Sequence, residues 1–249
     1  MTAPFGRRTV PVVGRRVVGR YVVLGIEDRE ARAAPGQFYM LAAAERWGGG
    51  ERERPYLARA VSIMRVTAAG VTEFLLEDVG PGTGRLCEVA VGERLLVLGP
   101  LGVGFSEPSE EVLLVGGGIG VAPLVGVQER WGGVALLGFR DAPHAQAASL
   151  FADPVIATDD GSIGRRGFVT DLLDEHLSEA RRAVYACGPP PMLEATLDRV
   201  RSREVASELA LEAPMACGFG ACYGCVVATT GGYRRVCVDG PVFDGSVLA

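Results

Sequence analysis

The chain runs to 249 residues and 26.2 kDa, room for two domains and a small appendage, since single cores usually serve about 100 to 200 residues each. A net charge of -5 and a pI near 5.2, with no basic stripe interleaved with aromatics, remove the electrostatic basis for nucleic-acid binding. Hydrophobic content of 48% and charged content of 22% are those of an ordinary globular protein, and no apolar run approaches the ~20 residues needed to span a bilayer.

The first hundred residues read as short strands with turn punctuation: RRVVGRYVVLGIE, PGQFYMLAAAE, RAVSIMRVTAAGVTEFLLEDV and GERLLVLGPLG. Val, Leu and Phe runs broken by Gly, Pro and charges predict an antiparallel barrel. The insertion ERWGGGERERPY, residues 45 to 56, reads as an exposed loop. From Glu111 the pattern becomes strand, glycine turn, helix, strand: EVLLVGGGIGVAPLVGVQERWG, then VALLGFR, PVIATDDG, VTDLLDEHLSEARR, AVYACGPPPMLEATLDRVRSR and VASELALE. That alternation predicts a parallel α/β domain. The expected divisions are 1–104, 105–208 and 209–249, with the first boundary among the Gly, Pro and Ser residues of 101 to 110. The last segment is too small to bury a core of its own and needs a staple.

Several short motifs carry chemistry. Arg59-Ala60-Val61-Ser62 opens a strand and offers a guanidinium and a hydroxyl to a phosphate or a flavin edge, or is simply a surface arginine. Gly80-Pro81-Gly82-Thr83-Gly84 has the form of an anion-binding turn, with backbone N–H groups and a hydroxyl. Gly116, Gly117, Gly118 and Gly120 lie in a strand-to-helix turn that suits a pyrophosphate at a helix N-terminus, although tight packing alone accounts for such turns too. Cys187, Gly188 and Pro189 form a second loop of that kind, and two such loops at strand carboxyl ends favour nucleotide binding. Cys187 is either a redox or contact residue there or an inert buried thiol, while Cys87 reads as a small buried hydrophobe. His144 and His176 lack metal-ligand spacing and read as surface residues, and Asp159-Asp160 as turn caps ahead of Gly161.

The most specific signal comes last. Cys217, Cys222, Cys225 and Cys237 stand as Cys-x4-Cys-x2-Cys-x11-Cys within MACGFGACYGC and beyond. The first three match the loop that holds a 2Fe-2S cluster in plant-type ferredoxins, while the last gap is shorter than theirs. Gly218, Gly220 and Gly224 give the loop its freedom. VVATTGGYRRV reads as a strand, a Gly-Gly turn and a returning strand that brings Cys237 back to the loop. Zinc is an alternative, disfavoured because only Cys222 and Cys225 form a knuckle. Disulfides rank below both, because no secretory leader opens the chain and a reducing, cytoplasmic setting is expected.

The order RxxS, GxGT, GPLGxGF, GGGIGVAP, TDDGSxGxxGxVTDLL, CGPxPM, CGxGACxGC and CxDGPVF, from Pro35 to Phe243, resembles the electron-transfer subunits of type B dihydroorotate dehydrogenases in the ferredoxin reductase superfamily. The resemblance implies an FAD-binding β-barrel domain, an NAD-binding α/β domain and a small 2Fe-2S domain. It places Arg59 to Ser62, Leu75, Leu76, Glu77, Gly82 and Thr83 on FAD, Gly116 to Pro123 and Cys187 to Pro189 on NAD, and the four terminal cysteines on the 2Fe-2S cluster. It also implies a catalytic FMN-containing dihydroorotate dehydrogenase partner in a heterotetramer of two of each subunit, in pyrimidine biosynthesis. Ala60 and Val61 depart from the family's Arg-Pro-(Ile/Tyr)-Ser, and Leu76-Glu77 from its Tyr-Arg. Other readings are a reductase subunit of a sulfide dehydrogenase or hydrogenase type, and a zinc-stabilised nucleotide-binding module.

Overall fold

A computed structural model describes residues 6–29, 32–47, 56–179 and 182–249. Most of the inserted loop, residues 48 to 55, lies outside the described residues. Strands β1 (Arg8–Val18), β2 (Tyr21–Glu27), β3 (Phe38–Ala43), β4 (Arg59–Val66), β5 (Val71–Glu77) and β6 (Arg94–Leu101) close a barrel in the order β1-β2-β5-β4-β3-β6, with every pairing antiparallel. Side chains alternate across each strand. Val22, Leu24, Ile26, Tyr39, Leu41, Ile63, Phe74 and Leu76 fill the inside. The seam of β1 and β6 is reinforced by a buried charge: Asp28 accepts from Arg8 Nη2 at 2.5 Å and from the Tyr39 hydroxyl at 3.0 Å, while Arg8 Nη2 also reaches the Gly99 carbonyl at 2.6 Å.

One segment departs from expectation. GPGTG folds as the first turn of helix α1 (Pro81–Glu88), with Pro81 in the first turn, where its missing N–H and fixed φ cost nothing. Burial of Arg85, Leu86 and Cys87 holds the helix against the barrel despite its glycines.

Beyond the barrel, β7 (Val112–Gly117), α2 (Ala122–Trp131), β8 (Val134–Phe139), α3 (Ala142–Ala145), β9 (Val155–Thr158), β10 (Arg165–Arg166), α4 (Val169–Glu179), β11 (Ala183–Cys187), α5 (Pro190–Ser202) and β12 (Ser207–Ala210) build the α/β layer. The sheet order is β10-β9-β8-β7-β11-β12, all parallel, and β15 (Val242–Asp244) adds antiparallel to β12. The order reverses between β7 and β11, whose carboxyl ends flank the crevice where open α/β sheets bind ligands.

The C-terminal segment does not stand apart. Its hairpin β13 (Val226–Thr229) and β14 (Gly232–Arg235) and helix α6 (Val236–Asp239) lead to β15, and the division expected at 208/209 falls inside β12. Val236, Phe243 and Leu248 share a core with Phe38 and Met40, the outward side chains of β3. Strand β3 is therefore buried on both faces. The strand and returning strand form as expected, in register from Val226↔Arg235 to Thr229↔Gly232, but the turn is Thr230-Gly231 instead of Gly231-Gly232; the Val236 N–H donates to the Cys225 carbonyl at 3.0 Å.

Candidate functional site

Three surfaces meet around the barrel. The first is the amino end of α1. Gly84 N–H bonds the Gly80 carbonyl at 2.7 Å, and no side chain caps the helix. The N–H groups of Gly82, which is buried, and of Thr83 lie in the helix's first turn, where amides have no intrahelical acceptor and suit an anion. Arg59 stands over them: a Cβ at Gly82 would collide with its guanidinium. Arg59 also donates to the Leu57 carbonyl at 2.6 Å and lies 5.9 Å from the Trp47 ring. Arg59, Gly82 and Thr83 are thus brought together, but the Thr83 hydroxyl is not free as the turn reading supposed. It donates to the Gly80 carbonyl and accepts from the Val79 N–H, each at 3.1 Å. Ala60 is exposed and Val61 and Ser62 are half-buried along β4. The side chains of Leu75 and Leu76 point into two different cores, so only their backbone can face a cofactor. Glu77 reaches outward.

The second surface is a cleft of about 640 Å³ at the carboxyl ends of β7, β8 and β11, closed on one side by Tyr21 and Glu77 of the barrel. Gly117, Gly118 and Pro189 line it. Gly116 does not: a Cβ there would meet Val121 at 2.9 Å inside the fold. At Gly120 a Cβ would lie 2.5 Å from the Gly188 Cα, so both glycine loops require bare backbone where they touch. Cys187 is buried beneath them, and burial pushes its thiol well above the ordinary range, which makes it a protonated packing group. Asp160 caps the Ser162 N–H at 2.9 Å, as its turn position predicts.

His144 is a correction. It is buried, not superficial, with Nδ1 2.5 Å from Asp141 Oδ1 and Nε2 3.1 Å from Glu77 Oε1. Its local sequence, RDAPHA, is polar, and only docking against the barrel buries it. His176 is half-buried, 2.9 Å from the Leu172 carbonyl.

The third surface holds the cysteines. All six thiols of the chain are free, with Cys225 and Cys237 buried and Cys222 exposed. Within the quartet Cys217 interacts with Cys222, and Cys237 with both Cys225 and Cys217. Among the described residues no three ligating side chains crowd one point. Burial opposes ionisation of Cys217, but N–H groups of Phe219, Cys222 and Ala221 and the Cys222 thiol outweigh it and hold the thiol down at about 6. Burial, reinforced by Cys225, pushes Cys237 up to about 12. The Gly224 N–H lies 3.5 Å from Cys222 Sγ. Gly218 and Gly220 take φ of 79° and 87°, whereas the third left-handed position is Tyr223 (φ 57°), not Gly224.

Two irons need two thiolates each, and amide donors aimed at sulfur stabilise the charge of such a centre. The donor set therefore fits a binuclear iron-sulfur cluster better than one tetrahedral zinc. The loop rests on the barrel: a Cβ at Gly218 would lie 2.5 Å from Met40 Cγ, and Met40 of β3 pairs directly with Ala60 of β4. One strand separates the thiols from the Arg59–Ser62 segment.

Comparison with known proteins agrees with this geometry. Residues 212–249 match the iron-sulfur cluster binding domain of dihydroorotate dehydrogenase B. The chain is 37% identical to the dihydroorotate dehydrogenase B (NAD(+)) electron transfer subunit of Geobacillus thermodenitrificans, with 96% of each chain covered. It is 38% identical to the probable subunit of that name from Thermococcus kodakarensis, with 86% of each covered. Among solved structures, the NADH-dependent reduced ferredoxin-NADP oxidoreductase superposes with a TM-score of 0.81 at 26% identity, over 96% of this chain and 89% of the other. The ferredoxin reductase of carbazole 1,9a-dioxygenase gives 0.68 at 25% identity, over 81% and 67%.

Proposed function

The chain belongs to the family of dihydroorotate dehydrogenase B electron-transfer subunits, and from that premise we propose which of its residues do the work. It is an NAD-linked flavin and iron-sulfur oxidoreductase subunit that passes electrons from the FMN of a catalytic subunit to NAD+, in pyrimidine biosynthesis. When bound, the 2Fe-2S cluster supplies single-electron transfer, and FAD supplies the change from single electrons to a hydride.

Cys217, Cys222, Cys225 and Cys237 hold the cluster, one pair to each iron. Arg59 and the N–H groups of Gly82 and Thr83 bind the FAD pyrophosphate, and β4 with the backbone of Leu75 to Glu77 borders its ring. Gly117, Gly118 and Pro189 receive the dinucleotide, while Gly116, Gly120, Cys187 and Gly188 shape that floor from beneath. Residues 1–104, 105–208 and 209–249 serve these cofactors in turn. The observation that carries the reading is the four-cysteine segment seated through Gly218 on Met40, which pairs with Ala60 of the Arg59–Ser62 segment.

The partner's place is the loop around exposed Cys222, where the neighbouring Phe219 and Tyr223 are also exposed; exposed apolar side chains grouped together mark interaction sites. Two copies of each subunit complete the assembly. Ligands that must stay thiols suit the reducing cytoplasm, and no described helix is long and apolar enough to cross a membrane.

The test is anaerobic co-purification with the catalytic subunit, then dihydroorotate oxidation with NAD+. A yellow-brown complex that turns over supports the reading. A colourless, zinc-loaded protein defeats it, and a coloured one that reduces another acceptor but not NAD+ with dihydroorotate assigns it a different partner.

A further inference from the structure

The α/β layer shares an apolar core with the barrel through Tyr21, Val23, Met64 and Leu75, and two polar contacts border it. At the first, α2 lies on β4: Arg65 bonds Glu73 within the barrel and Glu129 of α2, both at 2.7 Å. A Cβ at Gly126 would lie 2.9 Å from the Met64 carbonyl. At the second, the four residues of α3 come down on the β1–β2 turn. The Arg20 N–H donates to the Pro143 carbonyl at 3.2 Å, and Gly19, with φ of 59°, leaves that carbonyl the space a Cβ would occupy.

This second seam has an apolar core of Tyr21, Phe139, Ala145, Ala147 and Ala148, with Val18 packed against it, and its polar closure is His144. Asp141 caps α3 through the His144 N–H at 3.1 Å, and its carboxylate also faces Nδ1, while Glu77 at the end of β5 faces Nε2. Each ring nitrogen thus faces a carboxylate oxygen, one on α3 and one on the barrel. Arg140 is the other charge at the seam, with Nε 3.3 Å from His144 Nδ1 and 3.4 Å from Asp141 Oδ2. The Tyr21 ring stands edge-on at 5.7 Å, and its hydroxyl is buried without a partner among the described residues. Tyr21, Glu77 and His144 line the same cleft as Gly117 and Gly118.

We propose that His144 is a positioning residue: clamped between Glu77 of the barrel and Asp141 of α3, it fixes the wall that sets the spacing between flavin and nicotinamide. The inference rests on the functional reading above. The transfer it serves is FADH2 + NAD+ → FAD + NADH + H+, with the hydride passing between the two rings and the proton leaving to solvent. Such transfer falls steeply when the reacting atoms are misplaced by an ångström.

The test compares the holoprotein with His144→Ala and His144→Gln, monitoring NADH-driven dye reduction, the long-wavelength absorbance of the reduced flavin–NAD+ pair, and amide exchange at Arg20 and residues 142 to 145. In His144→Ala, kcat is expected to drop about tenfold or more, with KM for NADH changed by less than about threefold. The long-wavelength absorbance weakens, exchange at the seam rises about tenfold, and bound FAD and the cluster spectrum are unchanged. His144→Gln, which keeps one side-chain donor between the two carboxylates, is expected to restore part of the rate and of the exchange protection. Wild-type kcat and wild-type exchange in His144→Ala overturn the proposal, as does a rate loss matched by equal loss of FAD. If the wild-type holoprotein does not oxidise NADH, the functional reading fails, and the exchange measurement still judges the clamp.

Discussion

Single side chains separate the roles most sharply in the terminal loop. Cys222 is the exposed member of the quartet and Cys217 its partner. Cys222→Ser is expected to leave one iron with a single thiolate, abolish the visible cluster spectrum and stop dihydroorotate-driven NAD+ reduction. NADH oxidation with an artificial dye should stay within about twofold of wild type, since flavin chemistry does not depend on those thiols. Equal loss of both activities would sink the modular assignment. Cys87 gives a prediction of a different kind. Burial, then the Asp78 carboxylate, pushes its thiol up to about 11, so the fold favours the neutral form. That contribution is complete below the unfolded value of 9.0 and is lost as pH rises through about 11. Thermal melts between those limits should lose less in Cys87→Ala than in wild type, and parallel losses would refute the assignment.

At the scale of elements, the barrel seam depends on one buried carboxylate. Asp28→Ala removes the carboxylate that Arg8 and the Tyr39 hydroxyl share and should cost about 3 to 5 kcal/mol, read as a melting temperature lower by roughly 6 to 20 °C. A shift under about 2 °C would show that water replaces the carboxylate. Legibility followed the same scale. The alternation in β2 to β6 and the strand-turn-helix run from Val112 were readable because period and turn residues agree locally. Helix α1 was not, because glycine and proline at positions 80 to 84 spell a turn and only burial of Leu86 and Cys87 makes a helix. The three residues of β15 carry too little pattern to announce a strand. The spacing of the thiols was plain, but their pairing was not. Leu75 and Leu76 looked like one lining and serve two cores, and His144 is buried by a barrel some 60 residues away in sequence.

For the whole molecule, the iron-sulfur segment is part of the fold's closure. Its Val236, Phe243 and Leu248 complete the core on β3, and β15 covers the edge of β12. Chelation should therefore lower the melting temperature and open the Thr230–Gly231 tip to proteolysis, because metal binding free energy is also folding free energy. An unchanged melt and digestion pattern would make the segment self-sufficient. The strand with two buried faces has a last consequence. Phe38 and Met40 pack under the cysteine-bearing segment and Tyr39 and Leu41 inside the barrel, so a one-residue slip would exchange both sets at once. A chimera that grafts a relative's sulfur-rich tail onto this barrel must therefore carry the donor's residues at positions 38 and 40 with it.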